Sequence, residues 1–289
     1  MIYDLHVHST SSDGKKTRLE LVRDANYKGL KVLSFTDHSF IDDVTEEELN
    51  QQYEQTYHDK SKVILLNGIE LDIGDHGSMH MLGYNLKDKT LIKQELEKLK
   101  YKNNEVCEQI LRNIKKYHNL VITKEDLFPY MKDEFITKRI IIEYLIQKGI
   151  VKNNDEASLK YTGRQAKSYE KRAEFTSEEA IDLIKKSGGI PVLAHPTTLH
   201  MTNGELDDEI SRLKDLGLVG MEVNNTSKTS ISQLNIYRML ADKYELVKTS
   251  GTDFHRVDRN PFCIGVNNSD SDSFFNLPEI KEVIEKGRR

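Results

Sequence analysis

Six short stretches carry residues that could do chemistry: "HVHSTSSDG" from His6, "FTDHS" from Phe35, "GIE" ending at Glu70, "MHML" around His80, "AHP" around His195 and "GTDFH" ending at His255. They supply His6, His8, Asp13, Asp37, His38, Glu70, His80, His195, Asp253 and His255, which include six of the chain's ten histidines. Imidazoles and carboxylates are the ligands of Zn²⁺, Mn²⁺ and Fe²⁺, and the absence of clustered cysteine excludes a structural thiolate site. His6 and His8 alternate by two, so both leave one face of a strand and can grip one ion together. Asp253 and His255 have the same spacing and can serve neighbouring ions. Even nine of these ten as ligands exceed what one tetrahedral ion accepts, so two or three ions with a bridging carboxylate are expected. Taken singly, each histidine could be an ordinary strand or turn residue; their joint placement argues for a metal centre.

A water shared by two divalent ions is acidic enough to attack as hydroxide near neutral pH, while the ions neutralise charge on phosphoryl oxygens. No GxSxG, Walker A or CxxxxxR stretch offers a rival nucleophile. Ser9, Thr10, Ser11 and Ser12 read as the tight turn before Gly14 rather than as nucleophiles or a phosphate cradle.

The elements around these stretches must bring them together. "IYDLHVH", "KVLSFTDH", "KVILLNGIELDI" and "SMHMLGYNL" read as strands, with amphipathic helices over "KKTRLELVRDANYKGL" and "TEEELNQQYEQTYHDK". From residue 87 the rhythm changes. Leu91, Ile92, Leu96, Leu99, Val106, Ile110, Leu111 and Ile114 recur at helical spacing, and "TKRIIIEYLIQKGI" is another helix. The βα alternation resumes at "TSEEAIDLIKKSGG", whose Thr176 or Ser177 with Glu179 forms a capping box. About seven strands result. The domains expected are a barrel over 1–86 and 177–289 and a helical insertion over 87–176. An open doubly wound sheet is the plain alternative. A closed barrel is favoured because it converges all strand carboxyl ends on one face, where each of the six stretches places its ligands. The insertion follows the "HMLGY" strand directly, so it is expected to leave from that same face.

The chain of 289 residues is 37% hydrophobic and 31% charged, with a net charge of −5, as in ordinary soluble proteins. That charge argues against stable binding to duplex nucleic acid. No apolar run approaches the ~20 residues of a membrane span, and no signal peptide is evident. Cys107 and Cys263 lie far apart and read as reduced thiols, so a cytoplasmic location is expected.

Taken in order, "HVHSTSSDG", "FTDHS", "GIE", "HMLGY", "AHP" and "GTDFH" resemble the PHP (polymerase and histidinol phosphatase) superfamily. The resemblance is strongest to small bacterial phosphoesterases that dephosphorylate nucleoside 3′,5′-bisphosphates or degrade short RNA from the 5′ end. It implies a distorted (β/α)7 TIM-like barrel with a mainly helical insertion, and two to three divalent ions (Mn, Zn or Fe). It implies that His6, His8, Glu70 and Asp253 hold one ion and Asp13, His38 and His255 a second. Glu70 would bridge to a third, completed by His80 and His195. Asp37 would orient a ligand, and Asp37, Glu70 and His195 would be the catalytic residues.

The chain departs from that subgroup where substrate would be held. Thr137, Lys138, Arg139 and Ile140 replace a Gly-Arg-Pro-His-like stretch, and Asn224 and Asn225 follow "GMEV" instead of an aromatic and a histidine. Lys138, Arg139, Arg164, Lys167 and Asn225 are the candidate substrate contacts. Three other readings stand beside a nucleotide phosphatase: a histidinol-phosphate or other small-metabolite phosphatase, a non-catalytic polymerase-associated module, and an amidohydrolase-like enzyme. The last normally needs a bridging strand-end lysine, where this chain has Glu70.

Overall fold

The computed structural model describes residues 1–131, 133–256 and 263–287. The chain runs β1 (Ile2–Val7), α1 (Arg18–Lys28), β2 (Val32–Phe35), α2 (Glu46–Tyr57), β3 (Ile64–Ile73), β4 (Met79–Tyr84) and α3 (Lys89–His118). Then come α4 (Lys124–Leu127), α5 (Lys138–Gln147), α6 (Asn154–Ala157), α7 (Ser177–Lys186), β5 (Ile190–Leu193), α8 (Asn203–Leu216) and β6 (Gly220–Asn225). It closes with α9 (Ile231–Lys243), β7 (Val247–Gly251), β8 (Val266–Asn267), α10 (Asp272–Phe275) and α11 (Pro278–Lys286). Helix starts follow local chemistry: Thr17, Thr45, Thr176, Thr202 and Ser230 cap α1, α2, α7, α8 and α9, each with a reciprocal Glu or Gln at the third helical position.

One sheet holds the strands in the order β7-β6-β5-β4-β3-β2-β1-β8. Its seam is closed just beyond β7. The Asp253 amide donates to the His6 carbonyl (2.8 Å), the His8 amide donates to the Phe254 carbonyl (2.9 Å), and Val7 bridges Phe254 in parallel. Seven strands thus make a barrel, with β8 an antiparallel edge on the amino end of β1. Asp4 ties the seam from within. Its carboxylate accepts from the Thr252 amide and hydroxyl and from the Gly265 and His6 amides.

β4 is the distortion. It runs antiparallel to both β3 and β5, whereas the β1–β2, β2–β3, β5–β6 and β6–β7 pairs are parallel. His80, expected at a carboxyl end, therefore sits near the amino end of a reversed strand, opposite Asp72, and still reaches the ligand-bearing rim. The reversal also overturns the expected exit of the insertion. β4 ends at Tyr84 beside Ile190, where β5 begins, so the chain leaves the barrel at the opposite rim. It re-enters at Phe175, which bridges Ile73 at the carboxyl end of β3.

Two compact units result: residues 1–93 with 175–289, and residues 94–174. In the first, Leu21, Val22 and Ala25 of α1 pack with Leu33, Leu65 and Tyr53, while Phe274, Ile280 and Ile284 pack with Tyr3, Leu5 and Tyr84. The second has its own core of Ile110, Ile114, Leu127, Ile141, Leu145 and Ala157.

Candidate active site

β1 delivers the first ligands: His6 and His8, two residues apart, are fully buried, beside a register irregularity in the β1–β2 pairing between Asp4 and Val7. The chain then turns sharply. Ser12 and Gly14 donate their amides to the Ser9 carbonyl, and a Cβ on Gly14 would lie 2.3 Å from the His8 carbonyl oxygen, so only glycine fits. Asp37 fixes this turn. It accepts from the Ser9 amide (2.7 Å), the Ser9 hydroxyl (2.8 Å), the Ser12 hydroxyl (2.7 Å) and the Arg18 guanidinium (3.0 Å). It thus shapes the loop carrying His8 and Asp13, and its described bonds run to serines and arginine, not to an imidazole.

Glu70, wholly buried in mid-β3, is the hub. Its Oε2 lies 3.3 Å from His6 Nε2, 3.1 Å from His8 Nε2 and 3.4 Å from His38 Nδ1. Its Oε1 lies 2.8 Å from His80 Nδ1 and 3.0 Å from His195 Nε2. Asp253 Oδ1 is 3.4 Å from His6 Nε2 and 3.2 Å from His8 Nε2, and Asp13 Oδ1 is 3.2 Å from His255 Nε2. Candidate ligand atoms gather in four groups: His6–His8–Glu70–Asp253, His8–Asp13–His38–His255, Glu70–His80–His195 and His38–Asp72–His80. Asp253 (φ 51°) and His195 (φ 21°) hold backbone conformations uncommon for side-chain-bearing residues.

The donor set fits divalent cations. His6 Nε2, both ring nitrogens of His8, His38 Nδ1 and Glu70 Oε2 are buried without a hydrogen-bond partner, though they point at one another. Burial alone would raise the Glu70 and Asp253 carboxyls, yet His6 and its neighbours hold both well below the usual range. Conversely, burial would lower the His38 imidazole, but Glu70 and Asp72 push it up to about 9. The buried carboxylates demand positive charge at a point ringed by imidazoles, which supply it here by holding protons and would give those protons up to a divalent ion.

Three participants escape the sequence reading. Glu222 of β6 is buried, accepts from the His195 amide (2.8 Å) and pairs through Oε1 with His6 Nδ1 (3.1 Å), which leaves His6 Nε2 to face Glu70. Asp72 Oδ1 lies 3.4 Å from His38 Nδ1 and 3.5 Å from His80 Nε2. Lys228 ion-pairs with Asp253. A carboxylate inside "GMEVNN" was the one signal for Glu222, and strand parity with Glu70 was the signal for Asp72.

Asn225 is fully buried: its side-chain amide donates to Glu222 (3.2 Å), and its side-chain oxygen accepts from the Ser227 amide and hydroxyl. Lys138 donates to the Glu170 carbonyl (2.9 Å) and lies over the Tyr169 ring, whereas Arg139, Arg164 and Lys167 are exposed. His76 pairs with Glu209 instead of the cluster.

A closed barrel gathering imidazoles around buried carboxylates at one rim is the framework of a metal-dependent hydrolase. Residues 4–208 match the PHP domain family, and the chain belongs to that family. It is 31% identical over 257 residues to a 5′-3′ exoribonuclease of Haemophilus influenzae, covering 88% of this chain and 89% of the relative. It is 24% identical over 255 residues to a 3′,5′-nucleoside bisphosphate phosphatase of Chromobacterium violaceum, covering 87% and 86%. A solved Chromobacterium violaceum structure, described as an amidohydrolase with bound sulfate and no metal, superposes with a TM-score of 0.66. At 21% identity over 99% of this chain and 96% of that one, it shows the same fold. The chain is a metal-dependent phosphoesterase.

Proposed function

We propose that this enzyme hydrolyses a phosphate monoester of a small nucleotide, such as a nucleoside 3′,5′-bisphosphate or the 5′ end of short RNA, using two to three divalent ions. The observation that carries this reading is Glu70 set between five imidazoles, with Asp253 and Asp13 completing the set. His6, His8, Glu70 and Asp253 would hold one ion, Asp13, His38 and His255 another, and Glu70, His80 and His195 a third. Bound there, the ions supply an acidified water and charge for the phosphoryl oxygens. The protein fixes the rest. Glu222 orients His6, Asp37 holds the turn that carries His8 and Asp13, and the buried rim excludes bulk water from Glu70.

The substrate choice is supported by the two relatives, both named for nucleotide phosphoesters. The role of residues 87–176 as a substrate cap belongs to the same proposal. Arg139→Ala with Arg164→Ala is expected to raise KM for a bisphosphate several-fold more than for an aryl phosphate, at constant metal content. Equal effects on both substrates would deny the segment a part in recognition. The main test is phosphate release, with Mn²⁺ added, from nucleoside bisphosphates, nucleoside monophosphates, histidinol phosphate, inositol phosphates and 5′-phosphorylated oligoribonucleotides. A preference for histidinol phosphate would replace the nucleotide reading, and no release from any of them would remove it.

A further inference from the structure

The turn after β6 presents a lysine to the cluster. The Lys228 and Thr229 amides donate to the Asn225 carbonyl (3.0 and 2.8 Å), the Thr226 amide donates to the Gly251 carbonyl (3.0 Å), and the Asn225 side chain takes the Ser227 amide and hydroxyl. The backbone of this turn is thus stapled to β6 and β7, and the long side chain of Lys228 is the part left to move.

Its ammonium pairs with Oδ2 of Asp253, while Oδ1 of the same carboxylate lies 3.4 and 3.2 Å from Nε2 of His6 and His8. A single carboxylate separates the lysine from the centre of the cluster. The Asp253 side chain is 3% exposed and that of Lys228 34%, so the ammonium stands between the buried ligands and solvent, where a substrate must enter. Once divalent ions share the charge of Asp253, its attraction for the ammonium weakens, because the carboxylate is no longer the main unneutralised charge nearby. An arriving phosphoryl group is then the better partner, and lysine suits it as a mobile point charge.

We propose that Lys228 is a substrate-binding residue, a cation carried by the barrel itself that takes an oxygen of the phosphoryl group held at the cluster. This rests on the phosphoesterase reading above and deepens it. The competing role for Lys228 is to neutralise Asp253 permanently, and the two roles differ in what the lysine does for phosphate.

The test uses the full chain loaded with Mn²⁺ as wild type, Lys228→Met and Lys228→Arg. Inorganic phosphate is titrated calorimetrically, manganese per chain is counted on the same samples, and KM and kcat are measured with p-nitrophenyl phosphate. Lys228→Met is expected to bind phosphate roughly 10- to 100-fold more weakly at unchanged manganese content, with KM rising more than kcat falls, and Lys228→Arg to recover most of the loss. Wild-type phosphate affinity in Lys228→Met, whatever its manganese content, would overturn the proposal and leave Lys228 a neutraliser of Asp253. A loaded wild type that neither binds phosphate nor releases it from any ester would overturn the phosphoesterase reading and this proposal with it. The two failures are distinct, because the first leaves the wild type fully active.

Discussion

Glu70 and Glu222 are both buried carboxylates touching His6, yet they do different work. Glu70 aims its two oxygens at five ring nitrogens, so removing its charge should unsettle more than one ion at once. Glu70→Gln keeps the shape and is expected to lower both metal content and kcat by ~10-fold or more. Full content with near-normal activity would show that Glu70 bridges nothing. Glu222 reaches the centre indirectly, through the far nitrogen of His6 and the backbone amide of His195. Glu222→Gln is expected to weaken manganese affinity by roughly 10- to 100-fold, read by titration. At saturating Mn²⁺, kcat should return, which Glu70→Gln would not allow. Most of the cluster was legible in the sequence because histidines are scarce and their strands short. Glu222 was not, because a carboxylate within an apolar strand becomes informative only when its neighbours across the sheet are known.

At the scale of elements, β4 shows what periodicity omits. "SMHMLGYNL" reads as a strand in either direction, since alternation carries no polarity. The direction is set by pairing: β3 runs on to Ile73 and the chain turns back at once, placing Met79 opposite it. A closed parallel barrel accounts for the other strand ends, but His80 reaches the rim only because its strand is reversed. The seam is the other element-level feature. Asp4 satisfies donors from three segments, so Asp4→Ala would remove an acceptor that the amides of residues 6, 252 and 265 share. The expected cost is about 2–4 kcal/mol in denaturant unfolding. A loss below about 0.5 kcal/mol would show that water or a neighbouring group replaces the carboxylate.

For the whole molecule, the two units offer separate reporters. Every residue of the cluster belongs to the unit formed by residues 1–93 and 175–289, so ion binding should stabilise that unit by mass action. Mn²⁺ at a hundred times its dissociation constant should add about 2.7 kcal/mol over chelator-stripped protein, seen as a higher unfolding midpoint. An unchanged midpoint would mean that the native fold has no preference for the ion. Cys107 reports the unit of residues 94–174, where it lies against Ile110 and Ile114. Burial pushes its thiol up to about 11, so at pH 8 it stays protonated and should resist iodoacetamide until that unit opens. Reactivity should rise only as the pH nears 11, because the thiolate is the reacting form. Rapid labelling of Cys107 in the native protein at pH 8 would contradict this packing.

The seam between β1 and the residues after β7 also sets a timetable. His6 and Asp253 face each other across strands that are far apart in the chain. During synthesis, at ~5–20 residues per second, His6 and His8 would wait on the order of ten seconds or more before Asp253 and His255 emerge. A nascent chain can offer an ion only partial sets until then. A full ligand set therefore exists only once residue 255 has emerged, late in synthesis, and a chain interrupted before residue 253 would be distinguishable from a finished one by the metal it fails to keep.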